Sequence, residues 1–118
     1  MTDYHENWEA LPDDVKDMHR ALTSLKEEIE AVDWYHQRQA LCTDKELRQV
    51  LIHNRDEEIE HACMSLEWLR RKVPAWDEEL RTYLFTDAGI TAVEEGSGDG
   101  EDDARGSGSR DLGIGDID

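Results

Sequence analysis

The chain has 118 residues, enough for one small domain, and its net charge of −17 comes from 13 basic and 30 acidic side chains. This excess of acid argues against nucleic acid and anionic membranes as partners, and it favours cations. No apolar run approaches the roughly 20 residues that a membrane helix needs, and no secretory leader is expected. The two cysteines, Cys42 and Cys63, form no disulfide framework, which favours a reducing cytoplasm.

The pattern of apolar residues predicts an all-α protein. Residues 1–11 are expected to form a flexible arm, and Pro12 with the two acids after it is typical of a helix start. Apolar residues spaced alternately by three and four then mark one face of a helix that can run to about Leu41. The members of this stripe are Val15, Met18, Leu22, Leu25, Ile29 and Val32.

A second long helix follows after a short link, so the two are expected to form an antiparallel hairpin. The capping-box pattern Thr43-Asp44-Lys45-Glu46 starts this helix, and Pro74 ends it near Lys72. A short third helix is predicted around Trp76 to Leu84, which completes a helical body over residues 12–95. Glycine, serine and acids predict a flexible linker over 96–110, and residues 111–118 form the end of a disordered tail.

Polar residues interrupt the inward face of both long helices. Glu58 and His61 form a Glu-x-x-His pattern at positions where leucine is expected, and Glu28 lies at the edge of the apolar stripe. Carboxylates with one imidazole suit iron or manganese. Ferritin-like di-iron bundles use one Glu from each of two helices and Glu-x-x-His from each of two more. One chain supplies half of that set, so a four-helix bundle and its metal site are expected only in a dimer.

The pattern alone leaves a plainer interpretation open. Acid-rich helices contain Glu-x-x-His by chance, and a single histidine is more often an ordinary surface or core residue. The argument for a metal is that Glu28, Glu58 and His61 share one inward seam, where unpaired charge is costly.

Longer stretches resemble one known family, the encapsulated ferritins. They include residues 27–35, 53–58 with Glu60-His61, 66–71, 80–86 and 90–92, so the resemblance covers roughly residues 18–95. It implies a two-helix protomer with a short third helix, which forms dimers and then a ring, expected to be a decamer. It also implies a ferroxidase that oxidises Fe(II) with dioxygen at a di-iron centre and passes iron into an encapsulin nanocompartment in the cytoplasm.

The resemblance also assigns residues. The iron ligands of the family fall on Glu28, Glu58 and His61, and a second, weaker metal site on the path of the iron falls on Glu27 and Glu30, with calcium as a candidate ion. Trp34 and Tyr35 match residues near the centre. Tyr35 is interpreted as a hydrogen-bond partner of a ligand carboxylate, whereas Trp34 is equally well explained by interface packing.

The C-terminus resembles the peptide that docks cargo inside encapsulin shells. Its residues are Leu112, Gly113, Ile114, Gly115 and Ile117, with the apolar side chains expected to fill pockets on the inner wall of the shell. The sequence departs from the usual basic or serine end, because Asp116 and Asp118 stand there.

Three other functions remain open at this point. The chain could be a non-catalytic structural or scaffolding cargo protein, a metal buffer that binds without oxidising, or a different di-iron oxidase. The first leaves the polar seam unexplained, and the last is disfavoured because so small a chain has no evident substrate cavity.

Overall fold

The computed structural model describes residues 4–99, with side chains through Gly96, and this part of the chain contains helices and no strands. The four helices are α1 (Asp13–Leu41), α2 (Lys45–Lys72), α3 (Pro74–Tyr83) and α4 (Ile90–Asp99), and one 3-10 turn (Trp8–Ala10) precedes them. They fall into two compact units, one with α1 and α2 and the other with α3 and α4. The predicted all-helical class is confirmed.

The predicted hairpin is confirmed, since α1 packs along α2. Three polar contacts cross between the helices and show their antiparallel register. Ser65 reaches Glu28 at 2.9 Å, Arg55 Nη1 lies 3.1 Å from His36 Nδ1, and Arg48 Nε donates to Gln39 Oε1 at 3.3 Å. As the residue number on α1 rises, the number of its partner on α2 falls. Gln39, beside the turn, is buried.

The ends of the long helices follow local chemistry. Pro12 precedes α1, and Asp13 and Asp14 occupy its first turn, where acids offset the positive end of the helix dipole. At α2 the cap is Asp44, whose Oδ2 accepts from the backbone N–H of Leu47 at 2.8 Å. The capping-box pattern places the cap at Thr43, one residue earlier. Aspartate is at least as good a cap, which explains the difference.

The apolar stripe of α1 divides into two rows. Met18, Leu25 and Val32 are half-buried in the hairpin. The alternate members, each seven residues apart, remain open to solvent: Val15 at 43%, Leu22 at 36% and Ile29 at 55%. We call these three residues the outer row. Among the described residues, Leu69 is the single fully buried apolar side chain, so one chain forms almost no core of its own.

In the segment predicted as an arm, Tyr4 and Trp8 lie against α1. Their rings stack at 4.8 Å and approach the ring of His19 at 5.0 and 5.5 Å. Lys16 and Arg20 lie over the Trp8 ring. Aromatic and cation–π contacts thus join this segment to the first turns of the helix.

In the second unit, α3 packs against α4. Thr82 is buried and donates to the carbonyl of Glu78, and burial raises the pKa of Tyr83, helped by the charges of Glu94 and Glu79. Phe85 follows α3 with a φ of 62°, a left-handed conformation usually given to glycine. Helix α4 runs to Asp99, beyond residue 96 where the linker is predicted to begin.

Candidate metal centre

Glu58 and His61 lie one turn apart on α2, as their spacing predicts. Glu58 Oε1 stands 3.6 Å from His61 Nδ1, and the side chains are 28% and 45% exposed. Donors bound to one ion at about 2.1 Å stand about 3.0–3.4 Å apart. A small rotation of either side chain would therefore let both bind the same ion.

Glu28 reaches the same part of the hairpin from α1. Ser65 Oγ donates to Glu28 Oε1 at 2.9 Å, and both side chains are partly buried. Ser65 lies one turn after His61 on α2, so this hydrogen bond brings the Glu28 carboxylate to the neighbourhood of the Glu58–His61 pair. The sequence pattern assigns Ser65 no role, and the structure shows it as a partner of Glu28.

Glu57 has a contact that the sequence interpretation missed. The sequence pattern assigns this residue no role, and its side chain is 48% exposed. Its two oxygens nevertheless lie 3.9 Å from Nε2 of His61 and 3.9 Å from Nε2 of His53, within reach of an ion pair but longer than a hydrogen bond. The four-residue spacing His53, Glu57, His61 places all three on one helix face and could have indicated this arrangement.

Within a single chain, the described residues contain no group of three or more His, Cys, Asp or Glu that could hold a metal ion. The sequence prediction assigns only half a site to each chain, and that prediction is not tested by a single copy. Both cysteines are free.

The other residues predicted near the metal centre lie on α1. Glu27 and Glu30 are exposed, and Trp34 is 51% exposed. Tyr35 is half-buried, with the Arg38 guanidinium 5.2 Å from the centre of its ring. Their proposed roles stay predictions.

Two further observations concern the charge of Glu67 and the hydropathy of the helices. Near the end of α2, hydrogen bonds from Arg70 and then Arg71 hold the pKa of Glu67 at about 2, below its usual 4.5. None of the helices in the described part is both long and apolar enough to cross a membrane.

Comparison with known proteins decides the family. A sequence model of the family described as EncFtn-like matches residues 3–87. The chain belongs to the EncFtn-like family. A ferritin-like protein of Thermotoga maritima is 57% identical over 111 residues, covering 94% of each chain. An encapsulated ferritin-like protein of Rhodospirillum rubrum is 52% identical over 120 residues, covering 96% of this chain and 86% of the relative. The resemblance drawn from the sequence is confirmed.

A solved structure supports the EncFtn-like fold. The crystal structure of a Nitrosomonas europaea protein superposes with a TM-score of 0.73 at 57% identity, covering 75% of this chain and 98% of that chain. The EncFtn-like match contains Glu28, Glu58 and His61 but not the predicted targeting peptide. Leu112, Gly113, Ile114, Gly115 and Ile117 lie outside the described residues.

Proposed function

We propose that this EncFtn-like chain is a ferroxidase, which oxidises Fe(II) to Fe(III) with dioxygen at a di-iron centre shared by two copies. Family membership supports an iron-related function. The observation that carries the finer proposal is that Ser65 ties Glu28 to α2 one turn from His61, whose Nδ1 is 3.6 Å from Glu58.

The donor set suits the substrate. Carboxylate oxygens and one neutral imidazole bind Fe(II), and an excess of carboxylate stabilises the more highly charged Fe(III). Each chain contributes one Glu28, one Glu58 and one His61. In the proposed pair, the two Glu58 carboxylates would be shared by both irons, and Glu28 with His61 would complete the ligands of each. Each Fe(II) would give up one electron, and one dioxygen would accept the two electrons together with two protons from water and leave as hydrogen peroxide.

The outer row supports pairing through this face. Val15, Leu22 and Ile29 continue the stripe that packs on α2, yet within the described residues they remain exposed to solvent. A two-helix hairpin with so small a core has little stability alone. A second copy related by a two-fold axis would cover the outer row and bring its own Glu28 beside the shared site.

The orientation of His61 suggests which ring nitrogen binds iron. Nδ1 faces Glu58, whereas Nε2 faces Glu57 at 3.9 Å. We infer that Nδ1 is the ligand and that Glu57 accepts from Nε2–H when the site is filled. Histidine ligands usually donate their second N–H to a carboxylate, carbonyl or water, which fixes the ring.

The surface charge supports iron uptake. The net charge of −17 attracts cations, and exposed Glu27 and Glu30 lie on the same helix as Glu28. We propose that these two residues hold iron weakly on its way inward. Because exposed charges are screened, faster uptake should weaken as salt rises.

Delivery of iron into an encapsulin shell is the remaining part of the proposal. A relative that is 52% identical is an encapsulated ferritin-like protein. Residues 111–118 return to apolar side chains after a glycine- and acid-rich stretch, which suits a peptide that docks on a shell while the linker spans the distance.

The experiment that tests the site is aerobic oxidation of Fe(II), followed optically, for the wild type, Glu58→Ala and the control Glu60→Ala. Glu60 is an exposed acid on the same helix, two residues away on a different face. We expect fast oxidation by the wild type and the control, and loss of oxidation in Glu58→Ala. Equal rates in all three would show that the site is elsewhere.

A wild-type rate no faster than buffer would favour the alternative function, a non-catalytic metal-binding or scaffolding cargo protein. Equilibrium binding of Fe(II) without oxygen separates these two. A metal buffer binds iron without oxidising it, whereas a scaffold neither binds nor oxidises iron.

A further inference from the structure

The contact between Ser65 and Glu28 occupies one specific oxygen. The Ser65 hydroxyl has one proton to donate, and it donates that proton to Oε1 of Glu28 at 2.9 Å. The other carboxylate oxygen, Oε2, has no part in this bond. A hydrogen bond to a charged acceptor is stronger than one between neutral groups, so the hydroxyl competes with a metal for Oε1.

We propose that Ser65 is a positioning residue that makes Glu28 bind iron through Oε2 alone. The inference rests on the proposed iron site and deepens it. A carboxylate can bind a metal through one oxygen or both. With Oε1 held by Ser65, the Glu28 of each chain supplies one bond, and a coordination position stays open on each iron. Catalytic metal sites keep such a position for the reacting molecule.

The same hydrogen bond sets where Glu28 lies. Ser65 stands on α2 one turn from His61, whereas Glu28 stands on α1. A long, unbranched glutamate has several rotamers, and the hydroxyl selects one in which Oε2 is available beside the α2 ligands. The order of the site therefore depends on a contact between the two helices of one chain.

The choice of serine supports a role beyond folding. Inside a helix, alanine is the better helix former, and a serine hydroxyl usually bonds to a carbonyl of its own preceding turn. Here the hydroxyl donates across the hairpin instead. Replacement by alanine should keep or improve the helix itself, and circular dichroism of Ser65→Ala would check that a functional loss does not come from unfolding.

The test is anaerobic titration of the full chain with Co(II), a stable probe for Fe(II), comparing wild type, Ser65→Ala, Ser65→Thr and Ser24→Ala. Co(II) absorbs visible light more strongly at low coordination number. In Ser65→Ala we expect binding weaker by about 10-fold or more, because Glu28 loses the rotamer that this hydrogen bond selects, and the cost of ordering it again outweighs the bond that Oε1 gains. We also expect weaker absorption per bound ion, because the released Oε1 adds a bond.

The control variants make the result specific. Ser65→Thr retains the hydroxyl and should restore both readouts, and Ser24→Ala removes an exposed hydroxyl one turn before Glu28 and should behave as wild type. If Ser65→Ala binds Co(II) with the wild-type affinity and the same absorption per ion, this inference is wrong, whereas the proposed iron site is unaffected. If wild type itself binds no Co(II), both the proposed iron site and this inference are wrong.

Discussion

Mixed assemblies test whether the iron site is shared between chains. If the Glu58 carboxylates of both copies bridge the irons, a pair with one Glu58→Ala chain lacks a bridge and should not oxidise iron. Random pairing of equal amounts gives about a quarter wild-type pairs, about half mixed pairs and about a quarter variant pairs. The mixture should therefore have about a quarter of the activity of the same amount of wild type.

The structure explains why no neighbouring acid should replace Glu58. Glu57 is the next carboxylate, but it faces Nε2 of His61, whereas Glu58 faces Nδ1. Glu28 is held by Ser65 on the neighbouring turn. Pairs of variant chains should lose at least about 100-fold in rate, a common loss when a group acting directly on developing charge is removed.

The assay is Fe(II) oxidation by mixtures prepared under conditions where subunits exchange, at several proportions of the two chains. Activity should follow the square of the wild-type fraction. The same series with Glu60→Ala should stay at the wild-type rate throughout, which controls for the mixing procedure. Activity that falls in a straight line, to about half at equal amounts, would refute the shared site, because each chain would then act alone.

Three other predictions follow from single features of the chain. Ile29→Ala should weaken pairing by about 2–3 kcal/mol, or roughly 30–150-fold in the dissociation constant. Full burial of such a side chain contributes about 1.5–3 kcal/mol, and pairing would bury the exposed half of two copies. Sedimentation at several protein concentrations measures the effect, and an unchanged mass would place Ile29 outside the interface. Glu67→Gln should lower resistance to urea near neutral pH. Because the Glu67 pKa is depressed, its contribution is present above about 4.5 and is lost as pH falls toward about 2, so a wild-type advantage that stays constant over that range would contradict the assignment. Deleting residues 111–118 should abolish co-purification with an encapsulin shell and leave the oxidation rate unchanged; a lost rate would show that the tail serves the site.

The sequence predicted the long helices well because their ends depend on nearby residues. Pro12, Pro74 and the acids of the first turns act locally, and the observed bounds agree closely with the prediction. The cap at Asp44 was missed by one residue because both Thr43 and Asp44 can cap. The last turn of α4 was not predicted, since the glycine, serine and acid of residues 96–99 indicate a linker.

The metal centre was predicted in part because its ligands follow helical spacing. Glu58 and His61 share a face by their three-residue separation, and Glu28 interrupts an apolar stripe. Ser65 could not be assigned its role in this way, since its partner is distant in the sequence and is set by the hairpin register. Glu57 was passed over because an acid on an acidic helix gives no signal until its histidine neighbours are considered.

The division of the α1 stripe joins assembly to chemistry. One row packs on α2, and the outer row, including Leu22 and Ile29, lies on the same helix as Glu28 and stays exposed to solvent in the described part of the chain. If a second copy covers that row, the same event completes the ligand set. Iron would then bind the pair far better than the single chain, and binding would stabilise the pair by mass action. Pairing and metal affinity should therefore change together when the outer row is altered, even where no ligand is touched.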